Sequence, residues 1–510
     1  MPKEKVETKK FNLQKPLVFA IALILWSILE YTTNGDTMWF WLSFVLSAII
    51  ILPNLIWLKK GWGKVFGIPY IITMLKTKRF VQTIHNLAKH AKFLEKLSIL
   101  GLFVGFGLTG IDYWVARGQG GIRRIIILII GAISLGLIFN YTLSILFSVP
   151  ALESLWLFGL ISFVLLGFGG LSLAFMLGYG VIAINAFFIG EQICPSVAPV
   201  IPGVPIPGMG VVIPLIAWIS LGLILIIHEF SHGIMLSYYK EKIKSVGLIL
   251  FGIIPMGAFV EQDDKTFNKK DDKKQLLVLS AGPTSNLFTM IIGIIILLVF
   301  MQLITPLTPM INSEFEKTYH GIQIAGVEDE VSLCGIIEVA PAKDKLMVGD
   351  EVVALNGVDI NSIYSLNTVF RDVNDLMVFG VLRNGTDVNV EIMPVLFEGL
   401  GVKRIGVIFE PIKTGYEPKM EIQILSFLIN SFNSIVIFFI ILSFAVGMFN
   451  FLPSNPLDGG RIAQIMLLPY FGFMKFNSKE ETQKFIGRLF IWLFIISILV
   501  NLLPYFTMFF

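Results

Sequence analysis

Charge is the scarcest property of this chain. Only 15% of its 510 residues are charged, 55% are hydrophobic, and the mean hydropathy is +0.79. A typical soluble domain carries roughly 25% charged residues. The composition therefore excludes an ordinary water-soluble protein and indicates a polytopic α-helical membrane protein embedded in a lipid bilayer. Nothing in it indicates binding to nucleic acid.

Cysteine is also scarce, since Cys194 and Cys334 are the two in the sequence. This number excludes a disulfide framework and a zinc site built from cysteines, and it leaves open whether the two pair. A cleavable signal peptide is not expected, because an apolar stretch without a small-residue cleavage site directly follows the charged residues 1–15. The Lys- and Ile-rich composition favours a prokaryotic source, and among prokaryotes an archaeon.

Long apolar runs predict about nine membrane spans. A spanning helix needs about 20 mostly apolar residues. The fifth run is long enough either to be broken or to extend beyond the membrane, and Gly167, Gly169 and Gly170 lie in its middle. The predicted spans are 16–33, 38–57, 97–116, 124–148, 154–189, 211–237, 275–304, 423–448 and 487–508.

Lysine and arginine residues indicate the orientation of these spans. They concentrate in 1–15, 59–96 and 240–274, which the nine-span count places on one side. Because basic residues collect in cytoplasmic loops, we assign that side and the N-terminus to the cytoplasm, and the C-terminus to the outside. Three basic residues fall outside, against the rule: Arg117, Arg123 and Arg124.

The hydropathy pattern divides the chain into four regions. Residues 1–150 form an N-terminal membrane extension with a basic cytoplasmic loop at 58–96. Residues 151–305 and 421–510 are two further membrane regions, separated by a polar insert at 306–420 that we expect outside the cell.

The insert shows the pattern of a small β-rich domain. Strands at 351–355 and 379–383 are followed by Asn356-Gly357 and Asn384-Gly385. Asn-Gly between apolar runs is a strong hairpin signal. A helix is expected at 361–374, between the two strands.

Two other segments each allow two interpretations. The Pro- and Gly-rich tract 191–210 cannot be helical, and is either a stiff loop or a lid. The segment 79–96 is either a basic amphipathic helix lying on anionic headgroups or a solvated charged helix.

Polar residues interrupt one apolar helix at His228, Glu229 and His232. The run 211–227 before them carries no charge, and ionisable groups at membrane depth are costly and indicate function. Histidines four apart share one face of a helix and can ligate one Zn²⁺, and the Glu between them can act as general base. The alternative is a pair of structural histidines.

Two histidines leave a catalytic zinc site one protein ligand short. Asp458 is the strongest candidate, because it follows the apolar helix 423–448 and precedes two glycines. Pro453 and Pro456 end that helix. The alternative is that Asp458 caps a helix at 459–468.

Three motifs together resemble those of the site-2 protease family of intramembrane zinc metalloproteases. They are His228–Gly233, Ser280–Asn286 and Asn450–Gly460, which ends in Leu-Asp-Gly-Gly. The insert resembles a PDZ domain over Gly335–Gly357. Where the family often has Pro, five residues after the Asn that matches Asn450, this chain has Asn455.

The resemblance implies a zinc ion held by His228, His232 and Asp458, with Glu229 as catalytic base. It also implies that Asn286 binds the substrate carbonyl or oxyanion, and we assign Asn450 to substrate binding with it.

The expected activity is therefore zinc-dependent cleavage of transmembrane segments in single-span membrane proteins, that is, regulated intramembrane proteolysis. Segment 246–260 is either a membrane hairpin that pairs with an extended substrate or a re-entrant helix. The PDZ-like insert could bind an extended peptide by strand addition or exclude substrates with bulky outer domains.

Three other functions compete with this one. A transporter could bind a translocated ion through the same residues, but the sequence shows no inverted repeat. An inactive scaffold presenting a PDZ domain would have no need of Glu229. A prenyl-protein type of membrane peptidase would use a downstream Glu as its third ligand rather than Asp458.

Overall fold

The structure is a computed structural model that describes most of the chain after residue 62. The chain divides into two compact units, 1–99 with 222–285 and 100–221 with 286–510. The residues described are 63–65, 72–143, 153–195, 197, 201–204, 206, 212–251, 254–334, 336–372, 376–397, 402–474 and 476–509.

Helices account for most of the described residues. Residues Asp112–Ala116 and Phe139–Leu143 continue α2 and α3 as π-helical turns. The helices are α1 (Val81–Ala88), α2 (Lys92–Ile111), α3 (Gly121–Ile138), α4 (Trp156–Ile189), α5 (Ala217–Tyr238), α6 (Asp264–Phe267), α7 (Asp272–Ile304), α8 (Thr308–Glu316), α9 (Ile363–Asp372), α10 (Met420–Asn450), α11 (Asp458–Met466), α12 (Lys479–Asn501) and α13 (Leu503–Phe509).

Strands fall into two groups along the chain. The first group is β1 (Gly63–Val65), β2 (Ile72–Thr77), β3 (Ile243–Phe251) and β4 (Ile254–Gln262). The second is β5 (Tyr319–Val327), β6 (Glu330–Leu333), β7 (Ile336–Val339), β8 (Glu351–Leu355), β9 (Val358–Asp359), β10 (Met377–Arg383), β11 (Thr386–Ile392), β12 (Val395–Phe397), β13 (Val402–Arg404) and β14 (Val407–Lys413).

Seven described helices are long and apolar enough to cross a membrane, so the chain is a polytopic helical membrane protein. They correspond to the last seven predicted spans, and the predicted spans 16–33 and 38–57 lie outside the described residues. The seven are Lys92–Ala116, Gly121–Leu143, Trp156–Ile189, Ala217–Tyr238, Asp272–Ile304, Met420–Asn450 and Lys479–Phe506.

Two of these helices contain a glycine in a conformation that no helix adopts. Gly107 in α2 has φ 54° and ψ −137°, and Gly167 in α4 has φ 57° and ψ −146°. Only glycine occupies such a region without strain. Of the two alternatives for 154–189, the break is therefore present, whereas the bend in α2 was not predicted.

The first unit contains a four-stranded antiparallel sheet in the order β1–β2–β3–β4. The predicted hairpin over 246–260 is present as β3 and β4. Strands β1 and β2 lie in the region predicted only as a basic loop, and β2 pairs with β3 along its whole length. Ile72 and Thr73 in β2 are β-branched, which favours a strand. The sheet is therefore larger than the sequence indicated.

The prediction of one basic helix over 79–96 is wrong, because the segment contains two helices. Helix α1 ends at Ala88 and α2 begins at Lys92. Between them the amides of His90 and Ala91 donate to carbonyls three residues back. This tighter pattern is typical of a terminal turn and separates the two helices.

The second unit contains the β-rich insert. Its main sheet has the order β11–β10–β8–β5–β14, with β9 beside β8. Asn356 and Gly357 have φ of 50° and 77°, and Asn384 and Gly385 have 50° and 80°. These are the positive values that two-residue hairpin turns need, so both predicted hairpins are confirmed. Helix α9 lies within the predicted 361–374.

A buried ion pair joins β10 to the turn before β8. The Arg383 guanidinium donates to both carboxylate oxygens of Asp350, at 2.8 and 2.6 Å, and the Met347 amide donates to one of them. Burial acts to raise the pKa of the Asp350 carboxyl, but the hydrogen bonds from Arg383 and Met347 outweigh it and hold the pKa below its usual range.

The two cysteines form a disulfide. Cys194 follows α4 and Cys334 follows β6, 140 positions later in the sequence. The pairing that the sequence left open is therefore present, and it fastens the tract after α4 to the β-rich insert.

We predict that Asp350→Asn loosens the insert, because Arg383 loses its charge partner and breaking a buried pair costs about 3–5 kcal/mol. Hydrogen exchange on the full chain should speed up in β8 and β10. Because the folded pKa is lowered, the same region of the unmutated protein should keep its protection above about pH 4 and lose it in stronger acid.

The matched control is Asp329→Asn, which removes an ion pair with Lys343 in which the Asp329 side chain is 85% exposed. Surface pairs contribute little to stability. Equal exchange in β8 and β10 of both variants would contradict the prediction.

Candidate metal centre

The two motif histidines converge on one point beside α5. Their Nε2 atoms lie 3.2 Å apart, and the His228 side chain is buried. Their spacing of four residues puts them on the same helix face. Two imidazole nitrogens this close, in an apolar helix, are arranged as ligands rather than as separate surface groups.

The protonation of one ring follows from its neighbour. His232 Nδ1 lies 2.7 Å from the Val278 carbonyl oxygen on α7. A carbonyl only accepts, so Nδ1 carries the hydrogen and Nε2 presents its lone pair to a cation. Metal-binding histidines are commonly oriented through their other nitrogen in this way.

Gly282 on α7 leaves the space that these rings occupy. A methyl group on this residue would contact His232 Nε2 and lie 2.7 Å from His228 Nε2. Sequence reasoning missed this role, although Gly282 stands in the Ser-Ala-Gly-Pro run that it singled out. Any other side chain would enter the position of the cation.

Asp458 completes a group of three potential ligands. One ligand atom each from His228, His232 and Asp458 lie within 4.8 Å of one another. The cap of α11 is Leu457, and Asp458 is its first helical residue, so the interpretation of Asp458 as a helix cap is wrong.

This donor set fits zinc. Tetrahedral Zn²⁺ with ligands at about 2.1 Å needs ligand atoms roughly 3.4 Å apart. The 3.2 Å separation of the two imidazole nitrogens is close to that value. Two imidazoles and one carboxylate also make a common ligand set for catalytic zinc, with one position left for water or substrate.

Glu229 faces the sheet of the first unit. The Val260 amide of β4 donates to Glu229 Oε2 at 3.0 Å. The carboxylate lines a cavity of about 610 Å³ between α5 and the sheet. Most of the wall is apolar, including Leu75, Phe80, Ile226, Phe230, Leu248 and Val260.

The two predicted asparagines lie in different settings. Asn286 is fully buried, four residues after Gly282 and so on the same face of α7. Asn450 ends α10, and its side-chain amide donates to the Val446 carbonyl of its own helix at 2.9 Å. Both proposed roles in substrate binding stay predictions.

Comparison with known proteins agrees with the donor set. The model of peptidase family M50 matches residues 216–494, more than half of the chain. The chain therefore belongs to peptidase family M50, the site-2 protease family. The resemblance of the three motifs to the site-2 protease family is confirmed, and the resemblance of the insert to a PDZ domain stays a prediction.

Two individual proteins are similar to parts of the chain. An uncharacterized protein of Methanocaldococcus jannaschii is 27% identical over 253 residues, which cover 49% of this chain and 57% of that protein. The chain thus matches little more than half of its length. A Fusobacterium nucleatum protein named "Putative zinc metalloprotease" is 24% identical over 361 residues, covering 56% of this chain and 97% of that one. Family and relative together imply a metal cofactor.

We predict that Gly282→Ala weakens metal binding, because its methyl group would occupy the space beside the imidazole nitrogens. Zinc affinity, measured by competition with a chelator, should fall by at least about tenfold, the scale seen when support around a metal site is lost. Gly222→Ala on α5 is the control, since a methyl group there meets no atom within 4 Å. Equal affinities in the two variants would contradict the prediction.

Proposed function

We propose that this protein is a zinc-dependent intramembrane endopeptidase that cleaves the transmembrane segments of single-span membrane proteins. The carrying observation is the group of His228, His232 and Asp458, with Glu229 adjacent in sequence. Membership of peptidase family M50 supports the same reaction. Cleavage of this kind would release one end of the substrate from the bilayer, as in regulated intramembrane proteolysis.

His228, His232 and Asp458 would hold the zinc ion. When bound, zinc would polarise the scissile carbonyl and lower the pKa of a water molecule towards ~7. His232 is already oriented for this role by the Val278 carbonyl.

Glu229 would carry the proton during the reaction. Its carboxylate takes a proton from the attacking water and delivers it to the departing amide nitrogen. The Val260 amide holds one carboxylate oxygen and so fixes where the other points. Asn286, buried on α7, would donate to the oxyanion that develops on the substrate.

The sheet of the first unit would present the substrate. A helical segment hides its peptide bonds, so it must become extended before cleavage. Strand β4 is the last strand in the order of this sheet. The amide of its Val260 donates to Glu229, the proposed general base. Adding a substrate strand at this end would satisfy the exposed backbone groups close to Glu229. The cavity beside Glu229 would then accept an apolar side chain of the substrate.

The β-rich insert would act outside the membrane as a PDZ-like module. Strands β11 and β14 end its main sheet. An extended peptide could add to a sheet edge, or the insert could exclude substrates with large outer domains.

We propose a topology in which the N-terminus is cytoplasmic and the insert and C-terminus lie outside. The Cys194–Cys334 disulfide supports it, because such bonds persist in oxidising compartments. The clusters of lysine in 59–96 and 240–274 mark the opposite side as cytoplasmic.

We predict that Glu229→Gln abolishes cleavage but keeps zinc. The amide cannot accept the proton, so cleavage of single-span substrates should fall by about 10²–10⁴-fold. Purified wild type and variant should each contain about one zinc ion per chain. His232→Ala should instead lose the metal. A wild-type protein without zinc, even after reconstitution, would contradict the proposed function.

We also predict that protein isolated without reductant has no reactive thiol at either cysteine. A maleimide reagent should label the chain only after reduction, and then at Cys194 and Cys334. Cys194→Ser should expose Cys334 to labelling without reduction. Free thiols in the unreduced wild type would contradict the outside location of the insert.

A further inference from the structure

Helix α2 folds back on itself at Gly107. A methyl group on Gly110 would contact the carbonyl oxygen of Leu102 and lie 3.3 Å from the Phe103 Cα. Residues eight apart in a straight helix are separated by about 12 Å along its axis. The stretch after Gly107 therefore turns back along the stretch before it instead of continuing in one direction.

Helix α4 folds back in the same way at Gly167. A methyl group on Gly170 would contact the Ser162 carbonyl oxygen, again eight residues away, and would lie 2.7 Å from the Leu166 Cβ. The helix therefore also consists of two segments joined by a sharp bend.

The two bends touch each other. A methyl group on Gly107 would lie 2.5 Å from the Val164 carbonyl oxygen and 2.7 Å from the Gly167 nitrogen. The Thr109 hydroxyl donates to the Leu165 carbonyl at 3.0 Å. The backbones thus meet at a distance that side chains larger than hydrogen would prevent.

The end of α2 lies beside the start of α12. Asp112 accepts a hydrogen bond from the Tyr470 hydroxyl at 2.5 Å, and Arg124 binds both of its carboxylate oxygens at 2.7 Å. Phe471, next to Tyr470, packs against Phe485 with ring centroids 6.0 Å apart. The corner at 112–124 is therefore near the Lys479 end of α12, which the proposed topology places on the cytoplasmic side.

The start of α4 and the middle of its returning segment lie near the other end of α12. Asn501 donates to the Met176 carbonyl at 2.8 Å. A methyl group on Gly178 would lie 2.8 Å from the Leu155 Cδ1, so the segment after Gly167 has returned to the level of the start of α4 by Gly178. Helix α4 thus enters from the outside and returns there.

Phe451 is held where the two bends meet. It is fully buried. A methyl group on Gly105 would contact its ring, and one on Gly169 would lie 2.5 Å from its carbonyl oxygen. A methyl group on Gly459 would contact the same carbonyl oxygen from α11. Phe451 therefore lies between the bends and the residue next to Asp458.

We infer that α2 and α4 are opposed re-entrant hairpins that meet at Gly107 and Gly167, and that their junction positions Asp458 through Phe451. Neither helix spans the bilayer, because each enters and leaves on the same side. Arg117, Arg123 and Arg124 then lie on the cytoplasmic side, in agreement with the positive-inside rule. Phe451 is a positioning residue, and this part of the inference rests on the proposed zinc site.

The first experiment tests the path of α2. Gly118→Cys adds a thiol at an exposed position where a methyl group meets no atom within 4 Å. An impermeant maleimide should label it from the side that labels Lys269→Cys, and not from the side that labels Asp387→Cys. Labelling together with Asp387→Cys would show that α2 crosses once and would overturn the hairpin.

The second experiment tests the positioning of Asp458. Gly169→Ala and Gly105→Ala should each weaken zinc binding at least tenfold by chelator competition, and should change the visible spectrum of the cobalt(II)-substituted protein. Adding Phe451→Leu should restore binding to Gly105→Ala, whose methyl group meets the ring. It should not restore Gly169→Ala, whose methyl group meets the backbone.

Gly136→Ala in α3 is the matched control, because a methyl group there meets no atom within 4 Å. Zinc affinity and cobalt spectra of Gly169→Ala and Gly105→Ala equal to this control would overturn the positioning role. If Gly169→Ala does not fold, the paired Gly105→Ala and Phe451→Leu variants still decide it. Absence of zinc from the wild type would instead contradict the proposed function and leave the labelling result on α2 unaffected.

Discussion

The cost of placing polar groups in hydrocarbon governs this structure. Two imidazoles and a carboxylate in an apolar helix must each find a partner, because hydrocarbon offers them no hydrogen bonds. The sheet supplies an amide to Glu229, α7 supplies a carbonyl to His232, and a cation shared with Asp458 would satisfy the remaining nitrogens. The elements around α5 are therefore arranged by the needs of little more than one turn of that helix.

Much of this arrangement could be predicted from the sequence. The ligand residues stand in short motifs whose spacing alone places them on one helix face, and Asn-Gly pairs fix the hairpins of the insert. Long-range pairing could not be predicted. The strand at Ile72–Thr77 is short and polar at one end, and only its pairing with β3 distinguishes it from a loop. The role of Gly282 could not be predicted either, because it depends on where the two imidazole rings lie in the folded chain.

The bend at Gly107 shows a second kind of limit. Hydropathy measures how apolar a stretch is, and a helix that turns back is as apolar as one that crosses. Gly105, Gly107 and Gly110 were present in the sequence as a signal, but glycine is common in membrane helices. Arg117, Arg123 and Arg124, which the nine-span count places outside, were the better indication of the bend. The distribution of basic residues depends on the side of the membrane, whereas hydropathy does not. The sharp turn became evident only from contacts between residues eight apart.

The disulfide closes a covalent ring of chain that runs from Cys194 to Cys334. That ring contains α5, the β3–β4 hairpin and α7, and therefore both candidate metal-ligand histidines and Gly282. During synthesis the bond can form only after both cysteines have reached the same compartment, with α5 and α7 already inserted as a pair. Bond formation would thus follow membrane insertion of the motif helices and record that it was completed. A single cut in the chain anywhere inside the ring would leave the two fragments covalently joined.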